Sequence, residues 1–191
     1  MRHTGLPGFT LVLVLLPALL LSCMGVPGSR VLPVEEPLPP DLVKVQRLSG
    51  DSLESHARGG TNPYVPRTSL LFSNNQPVFY VYELVLPAAR SFRIKLISAT
   101  LADESGTDGA NLLALDELSQ YWEHFLMPDD EAQLLQSNID RTYFGRTDFN
   151  YSSRKGRSYV LVFSGKQPQL EAVIATFKFQ INGQAVQIEV Q

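Results

Sequence analysis

Catalytic signals in this sequence are weak, and histidine, the most frequent general base, occurs only at positions 3, 56 and 124. His124 lies next to Glu123, with Ser119 five residues before it. Adjacent residues of a helix point in different directions, and a Ser–His–Asp triad is built from spatial neighbours rather than sequence neighbours. The chain has no Gly-x-Ser-x-Gly, phosphate-loop, His-Glu-x-x-His or dinucleotide-binding motif. We therefore assign no catalytic residue, and a hydrolase that uses His124 or a pair of carboxylates is the last of three functional hypotheses.

Carboxylates and glycines are clustered between Asp103 and Gly109, which raises the question of a calcium site. Counted from Asp103, the third and fifth positions of an EF-hand loop are Ser105 and Thr107, and Ala114 occupies the position of the bidentate glutamate. This spacing does not fit the loop. We expect a solvated turn that leads into a helix, with no metal ligand and no cofactor.

The charged residues are distributed unevenly along the chain. Leu101–Asp140 contains ten acidic residues and no Lys or Arg, whereas Arg141–Lys166 contains six basic residues and Asp148 alone among acids. The basic segment also contains aromatic residues, so it could form a recognition surface for an anionic glycan, a lipid headgroup or a protein. In the alternative, the basic segment complements the acidic one within the molecule and its aromatics are in the core. The candidate binding residues are Arg146, Tyr151, Arg154, Lys155 and Arg157.

The composition predicts one globular domain of roughly 100–150 residues with additional segments. The chain has 191 residues, 44% of them apolar, and a net charge of -3. A pI near 5.6 lacks the basic excess that nucleic-acid binding by bulk charge requires. The single cysteine excludes an intrachain disulfide and a multi-cysteine metal site.

The N-terminal segment has the pattern of an export signal. Arg2 and His3 precede an apolar run, Phe9–Leu21, which is interrupted by Thr10 and Pro17. A run of about 13 residues fits the apolar region of a signal peptide, whereas a membrane-spanning helix needs about 20.

The tetrapeptide Leu20-Leu21-Ser22-Cys23 follows this run and contains the only cysteine of the chain. It resembles the lipobox of bacterial lipoproteins. The resemblance implies that residues 1–22 are a signal peptide and that Cys23 becomes the N-terminus, carrying a diacylglyceryl thioether and an amide-linked acyl chain such as palmitate. An aspartate directly after the cysteine would favour retention in the inner membrane. This chain has Met24 there instead, so the outer membrane is favoured in an organism that has one. A plain secretory signal and an uncleaved anchor are the alternatives.

Residues 23–66 are expected to form a tether. Five prolines lie between Met24 and Pro40, and proline favours an extended spacer over helices and sheets. Leu42–Leu48 could form one edge strand that docks on the domain, and Ser49–Pro66 is again rich in glycine and proline.

Residues 67–191 are expected to form one β-rich domain. Asn182-Gly183 favours a type I′ hairpin, which pairs Ile181 with Gln184 and Phe179 with Val186 and leaves one face apolar. Tyr159–Phe163 is apolar on both faces, which is typical of a central strand. Further strands are predicted at Leu70–Ser73, Val78–Leu86, Ser91–Leu101 and Ser158–Ser164.

The middle of the chain predicts helices. Leu115, Leu118, Trp122 and Phe125 form a helical stripe within Asn111–Met127, which Pro128 ends. Acidic residues from Asp129 suit the first turn of a second helix. We therefore predict a mainly β fold, a sandwich-like antiparallel domain with a one- or two-helix insertion, with α+β as the alternative.

These patterns together predict a non-enzymatic bacterial lipoprotein, anchored to the membrane through Cys23, that binds an envelope partner or supports envelope assembly. The alternatives are a lipoprotein that binds a glycan or small solute, and an anchored hydrolase. We expect the cell envelope as its location, an envelope protein or an anionic glycan as its partner, and no nucleic acid.

Overall fold

The computed structural model describes residues 42–55, 60–67, 77–103, 105–145, 148–166 and 173–191. These ranges belong to one compact unit, Leu38–Gln191. They contain eight strands, namely β1 (Lys44–Leu48), β2 (Pro77–Leu86), β3 (Arg90–Asp103), β4 (Asp108–Leu112), β5 (Asp148–Ser153), β6 (Arg157–Lys166), β7 (Val173–Ile181) and β8 (Gln184–Val190). The described helices are α1 (Asp51–Glu54), α2 (Leu115–Glu123) and α3 (Asp129–Thr142).

The described strands form one antiparallel sheet in the order β1-β2-β6-β4-β3-β7-β8, and β5 pairs with the first half of β3. The sheet curls so far that β1 and β8, at the two ends of this order, come into contact. The helices α2 and α3 are inserted between β4 and β5. The prediction of a mainly β, antiparallel domain with a helical insertion is confirmed.

The C-terminal hairpin has the predicted register. Ile181 pairs with Gln184, and Phe179 pairs with Val186. Asn182 and Gly183 have φ angles of 49° and 94°, as a type I′ turn requires. The turn also docks on β3, because the Asn182 side-chain oxygen accepts a hydrogen bond from the backbone N–H of Arg93 at 2.9 Å.

Strand β6 lies between β2 and β4 and is buried on both faces, as its sequence predicts. Leu161 and Phe163 belong to a cluster formed with the other strands, here called the sheet core, in which the rings of Tyr82, Phe163 and Phe177 pack edge to face. The opposite face of β6 packs on the helices in a second cluster, here called the helix core, whose buried members include Leu118, Trp122, Leu135, Ile139, Val160 and Val162.

Helix α2 is shorter than its predicted range, Asn111–Met127. It begins at Leu115, where the Glu117 side chain accepts a hydrogen bond from the N–H of Ala114 at 2.6 Å, and it ends at Glu123. Asn111 and Leu112 belong instead to β4, where they pair with β6. Ladder hydrogen bonds to a neighbouring strand outweigh local helix preference here. The second predicted helix is confirmed as α3, with Leu135 and Ile139 buried.

Residues before Arg67 take part in the helix core. Strand β1 pairs with β2 at the edge of the sheet, as predicted for Leu42–Leu48. Tyr64 is buried, and its hydroxyl forms a 2.5 Å hydrogen bond with the hydroxyl of Thr142. The indole N–H of Trp122 donates to the carbonyl of Pro63 at 3.0 Å.

Several predicted features lie outside the described residues. They are the signal segment 1–22, Cys23, the proline-rich part of the tether and the strand at Leu70–Ser73. Within the described ranges, every helix is too short or too polar to span a membrane.

Candidate functional site

The candidate site lies where β5 and β6 separate. Strand β5 pairs with β3, whereas β6 pairs with β2 along its whole length. The chain that leaves α3 runs against the other side of β6: Tyr143 forms a parallel bridge with Val160, and the N–H of Phe144 donates to the Val160 carbonyl at 2.8 Å. The end of α3, β5 and the start of β6 thus surround a hollow.

This hollow, here called the α3–β6 cleft, has a volume of about 420 Å³. Its walls include charged and aromatic side chains, namely Asp140, Arg141, Phe144, Phe149, Arg157 and Tyr159. A second depression of about 530 Å³ shares Arg141, Arg157 and Tyr159 with it. Both volumes fall in the range of small-molecule sites, about 300–1,000 Å³.

The two arginines of the cleft come from different elements. Arg141 is in the last turn of α3, where a positive charge suits the helix dipole, and its guanidinium donates to the side-chain oxygen of Asn138 at 2.6 Å. Arg157 is the first residue of β6. Within the described part of the chain, neither guanidinium has a carboxylate within ion-pair distance, and both side chains are exposed. Asp140 accepts a hydrogen bond from the side-chain amide of Gln136 at 2.9 Å. The cleft therefore contains two guanidinium groups that form no ion pair with a described acid.

Three aromatic rings form one wall of the cleft. The centroid of Phe144 lies 5.8 Å from that of Phe149 and 5.7 Å from that of Tyr159, and Phe149 and Tyr159 are 5.9 Å apart. The planes are inclined by 58–70°, within the edge-to-face geometry that aromatic pairs prefer. Phe144 is buried, whereas Phe149 and Tyr159 are half-buried. The wall is held by its buried member and leaves two rings in part accessible.

The predicted binding residues fall into different places. Arg157 lines the cleft, whereas Arg154 and Lys155 are exposed in the turn between β5 and β6, outside its lining. Arg146 and Cys23 lie outside the described residues.

Tyr151 is a structural residue, contrary to its prediction as a binding residue. Its side chain is 2% exposed, and its ring packs on Phe92 at 5.0 Å between centroids. Its hydroxyl donates to the carbonyl of Pro87 at 2.8 Å. The reason is the alternation of β5, which turns Tyr151 towards the sheet core.

Sequence reasoning did not assign Arg141, Phe149 or Tyr159 to the site. Arg141 is the first basic residue after the acidic segment and the last charged residue of the predicted second helix. This position in the sequence could have marked Arg141 as a candidate. Its proximity to Arg157 in the cleft depends on the tertiary fold, which the local sequence does not predict.

The side chain of His124 is exposed at the end of α2 and is not part of the cleft lining. Its Nδ1 lies 2.7 Å from the carbonyl oxygen of Gln120, one turn earlier in the same helix. This ring nitrogen therefore hydrogen-bonds within its own helix.

The acidic loop at Asp103 closes the turn between β3 and β4, rather than leading directly into a helix. The carboxylate of Asp103 accepts hydrogen bonds from the Ser105 hydroxyl at 2.6 Å and from the N–H groups of Ser105 and Thr107 at 2.9 Å. The Ser105 hydroxyl and these backbone donors hold the pKa of Asp103 below its ordinary value. Among the described residues, no three acidic, histidine or cysteine side chains are grouped as metal ligands.

Comparison with known proteins adds one distant structural similarity. No protein-family model matches the sequence, and no curated protein matches it. The crystal structure of a FixG-related protein from Vibrio parahaemolyticus aligns with 77% of this chain and 89% of its own, at 8% sequence identity and a TM-score of 0.30. A similarity this low carries no inference about function, which must come from the chain's own residues.

Proposed function

We propose that this chain is a lipid-anchored bacterial lipoprotein whose β domain binds a partner in the cell envelope, or supports envelope assembly, without catalysing a reaction. The observation that carries the proposal is the position of its sole cysteine at the end of Leu20-Leu21-Ser22-Cys23, directly after an apolar run of signal-peptide length. Two or three acyl chains on Cys23 would hold the domain at a membrane, since each buried methylene contributes about 0.8 kcal/mol. The outer membrane is the proposed location in an organism that has one.

The arrangement of the domain supports binding over catalysis. A general base must reach its substrate, and the best candidate in the sequence, His124, is outside the cleft lining and has Nδ1 within hydrogen-bonding distance of its own helix. The cleft instead offers two arginines and two half-buried rings, which are groups that recognise rather than transform a ligand.

The anchor is tested by expressing the full chain in a bacterium that processes lipoproteins. We expect labelled palmitate in the wild-type protein, and a mass that corresponds to removal of residues 1–22 and acylation of Cys23. The variant Cys23→Ala should lose the label and leave the membrane fraction, whereas the neighbouring change Met24→Ala should keep both. A purified protein that still begins at Met1, or that carries an unmodified thiol, would contradict the proposal.

A lipoprotein that binds a glycan is the second candidate, and the aromatic wall of the cleft favours it. Phe149 and Tyr159 each keep part of their ring accessible, beside Arg157. The charge reversal Arg157→Glu should then abolish ligand binding. The double change Arg154→Glu and Lys155→Glu, on the exposed turn, should have little effect at the cleft. The reverse pattern would place the binding surface on the turn.

A further inference from the structure

We propose that the α3–β6 cleft binds an acidic saccharide, a sugar that carries a carboxylate or phosphate group. Arg141 and Arg157 bind the anionic group, and the rings of Phe149 and Tyr159 contact the apolar face of the sugar. The proposal rests on the proposed function only for the source of the ligand, the cell envelope. The binding itself follows from the side chains of the cleft.

The anionic part of the ligand is indicated by two guanidinium groups that line the same cleft. Arg67 bonds to Glu131 at 2.5 Å, and Arg93 bonds to Asp148 at 2.8 Å. Arg141 and Arg157 have no such partner among the described residues, although they line the same cleft. A guanidinium presents a planar fork of donors that matches carboxylate and phosphate oxygens. Two of them in one cleft favour a ligand that carries a negative charge.

The saccharide part is indicated by the remaining walls. Phe149 and Tyr159 are half-buried and fixed by the buried ring of Phe144, so they present a rigid apolar surface. The carboxylate of Asp140 is an acceptor for hydroxyl groups and disfavours a long polyanion. A mineral anion would use the arginines alone. A ligand that contacts the arginines, the carboxylate of Asp140 and the aromatic rings has an anionic group, hydroxyl groups and an apolar ring face.

The proposal is tested by NMR titration of the purified, isotope-labelled full chain with four probes: glucuronic acid, glucose 6-phosphate, glucose and inorganic phosphate. We expect shifts at the cleft residues with one or both acidic sugars. Glucose and inorganic phosphate should each bind at least about tenfold more weakly, because each lacks one of the two recognised parts. The preferred acidic sugar identifies the anionic group as carboxylate or phosphate.

Three variants assign the binding to the cleft. Arg141→Gln and Arg157→Gln should each weaken binding of the preferred sugar by about tenfold or more, because each removes a charged donor. Arg154→Gln is the matched control and should leave the dissociation constant within about twofold, since Arg154 is exposed on the adjacent turn. All three positions are exposed, so each variant should keep the fold, which the amide spectrum reports.

Four results would overturn the proposal: binding of glucose as tight as that of the acidic sugars, binding of inorganic phosphate as tight as that of glucose 6-phosphate, an equal loss in Arg154→Gln, or no binding of either acidic sugar at millimolar concentration. The mass of the same preparation reports the acylation of Cys23. A failure of saccharide binding is thereby distinguished from a failure of the anchor.

Discussion

Two turns of the sheet approach each other closely at Gly156, and the change Gly156→Ala tests the importance of this contact. Gly156 has a φ of 75°, in the left-handed region that favours glycine. A Cβ atom added there would lie 3.0 Å from the carbonyl oxygen of Leu86 and 3.3 Å from the backbone nitrogen of Ala88. Both neighbours are backbone atoms of the turn between β2 and β3, so a side chain cannot move aside to make room.

Gly106→Ala is a matched control for this change. Gly106 has a φ of 81°, but a Cβ atom added there would meet nothing within 4 Å. Its replacement should lower the free energy of unfolding by about 1 kcal/mol, from the left-handed backbone alone. Gly156→Ala adds the displacement of two packed turns, which typically costs a further 1–3 kcal/mol, so about 3 kcal/mol in total. For a domain of this size the difference between the variants, about 2 kcal/mol, corresponds to about 4–8 °C in Tm.

Urea and thermal unfolding, followed by circular dichroism, measure both variants. Hydrogen exchange adds a local readout, because the N–H of Ala89 donates to the carbonyl of Ser153 at 2.8 Å and joins the same two turns. Faster exchange of Ala89 is expected in Gly156→Ala and not in Gly106→Ala. Equal losses of stability in the two variants would refute the claim that the turns are in close contact.

Three further predictions follow from the tyrosines. The hydroxyl of Tyr82 is buried with no hydrogen-bond partner among the described residues, so Tyr82→Phe should raise the free energy of unfolding by about 1 kcal/mol in urea titrations; a loss would show that the hydroxyl is solvated in place. Burial raises the pKa of Tyr64 and Tyr143 above the ordinary range and that of Tyr82 to about 12. In the unfolded chain the pKa of a tyrosine is about 10. Stability should therefore be unaffected by these groups below about pH 10 and fall as the pH rises above it, and these three tyrosines should ionise together with unfolding rather than before it. Tyr151→Phe removes the hydrogen bond to Pro87 and should cost about 1 kcal/mol in thermal unfolding, with no effect on ligand binding at the cleft.

Local patterns predict the parts of the fold whose partners are close in sequence. The β7–β8 register follows from Asn182-Gly183 and from alternating residues that lead to the same pairing. The burial of Leu161 and Val162 on opposite faces of β6 follows from a run without polar residues. In both cases the local preference and the packing agree.

Non-local pairing explains what the sequence does not predict. Leu112 fits the apolar spacing of the following helix, but Asn111 and Leu112 pair with Ser164 and Phe163, some fifty residues later, and are therefore a strand. Phe149 and Tyr151 alternate with polar residues, and only the pairing of β5 with β3 decides that Tyr151 is covered. The cleft is also a product of non-local pairing. It forms because Tyr143, in the segment after α3, pairs with Val160 of β6, and local sequence patterns do not predict this contact.

The position of β6 in both hydrophobic clusters has a consequence for how the domain comes apart. Val160 and Val162 pack in the helix core, and Leu161 and Phe163 pack in the sheet core. Exposure of one face of β6 to water should therefore also disrupt the packing on its other face. The helices and the sheet should accordingly unfold in one transition, without a populated intermediate in which the sheet is folded and the helices are unfolded. The amides at the middle of β6 should then be the last in the molecule to exchange with deuterium.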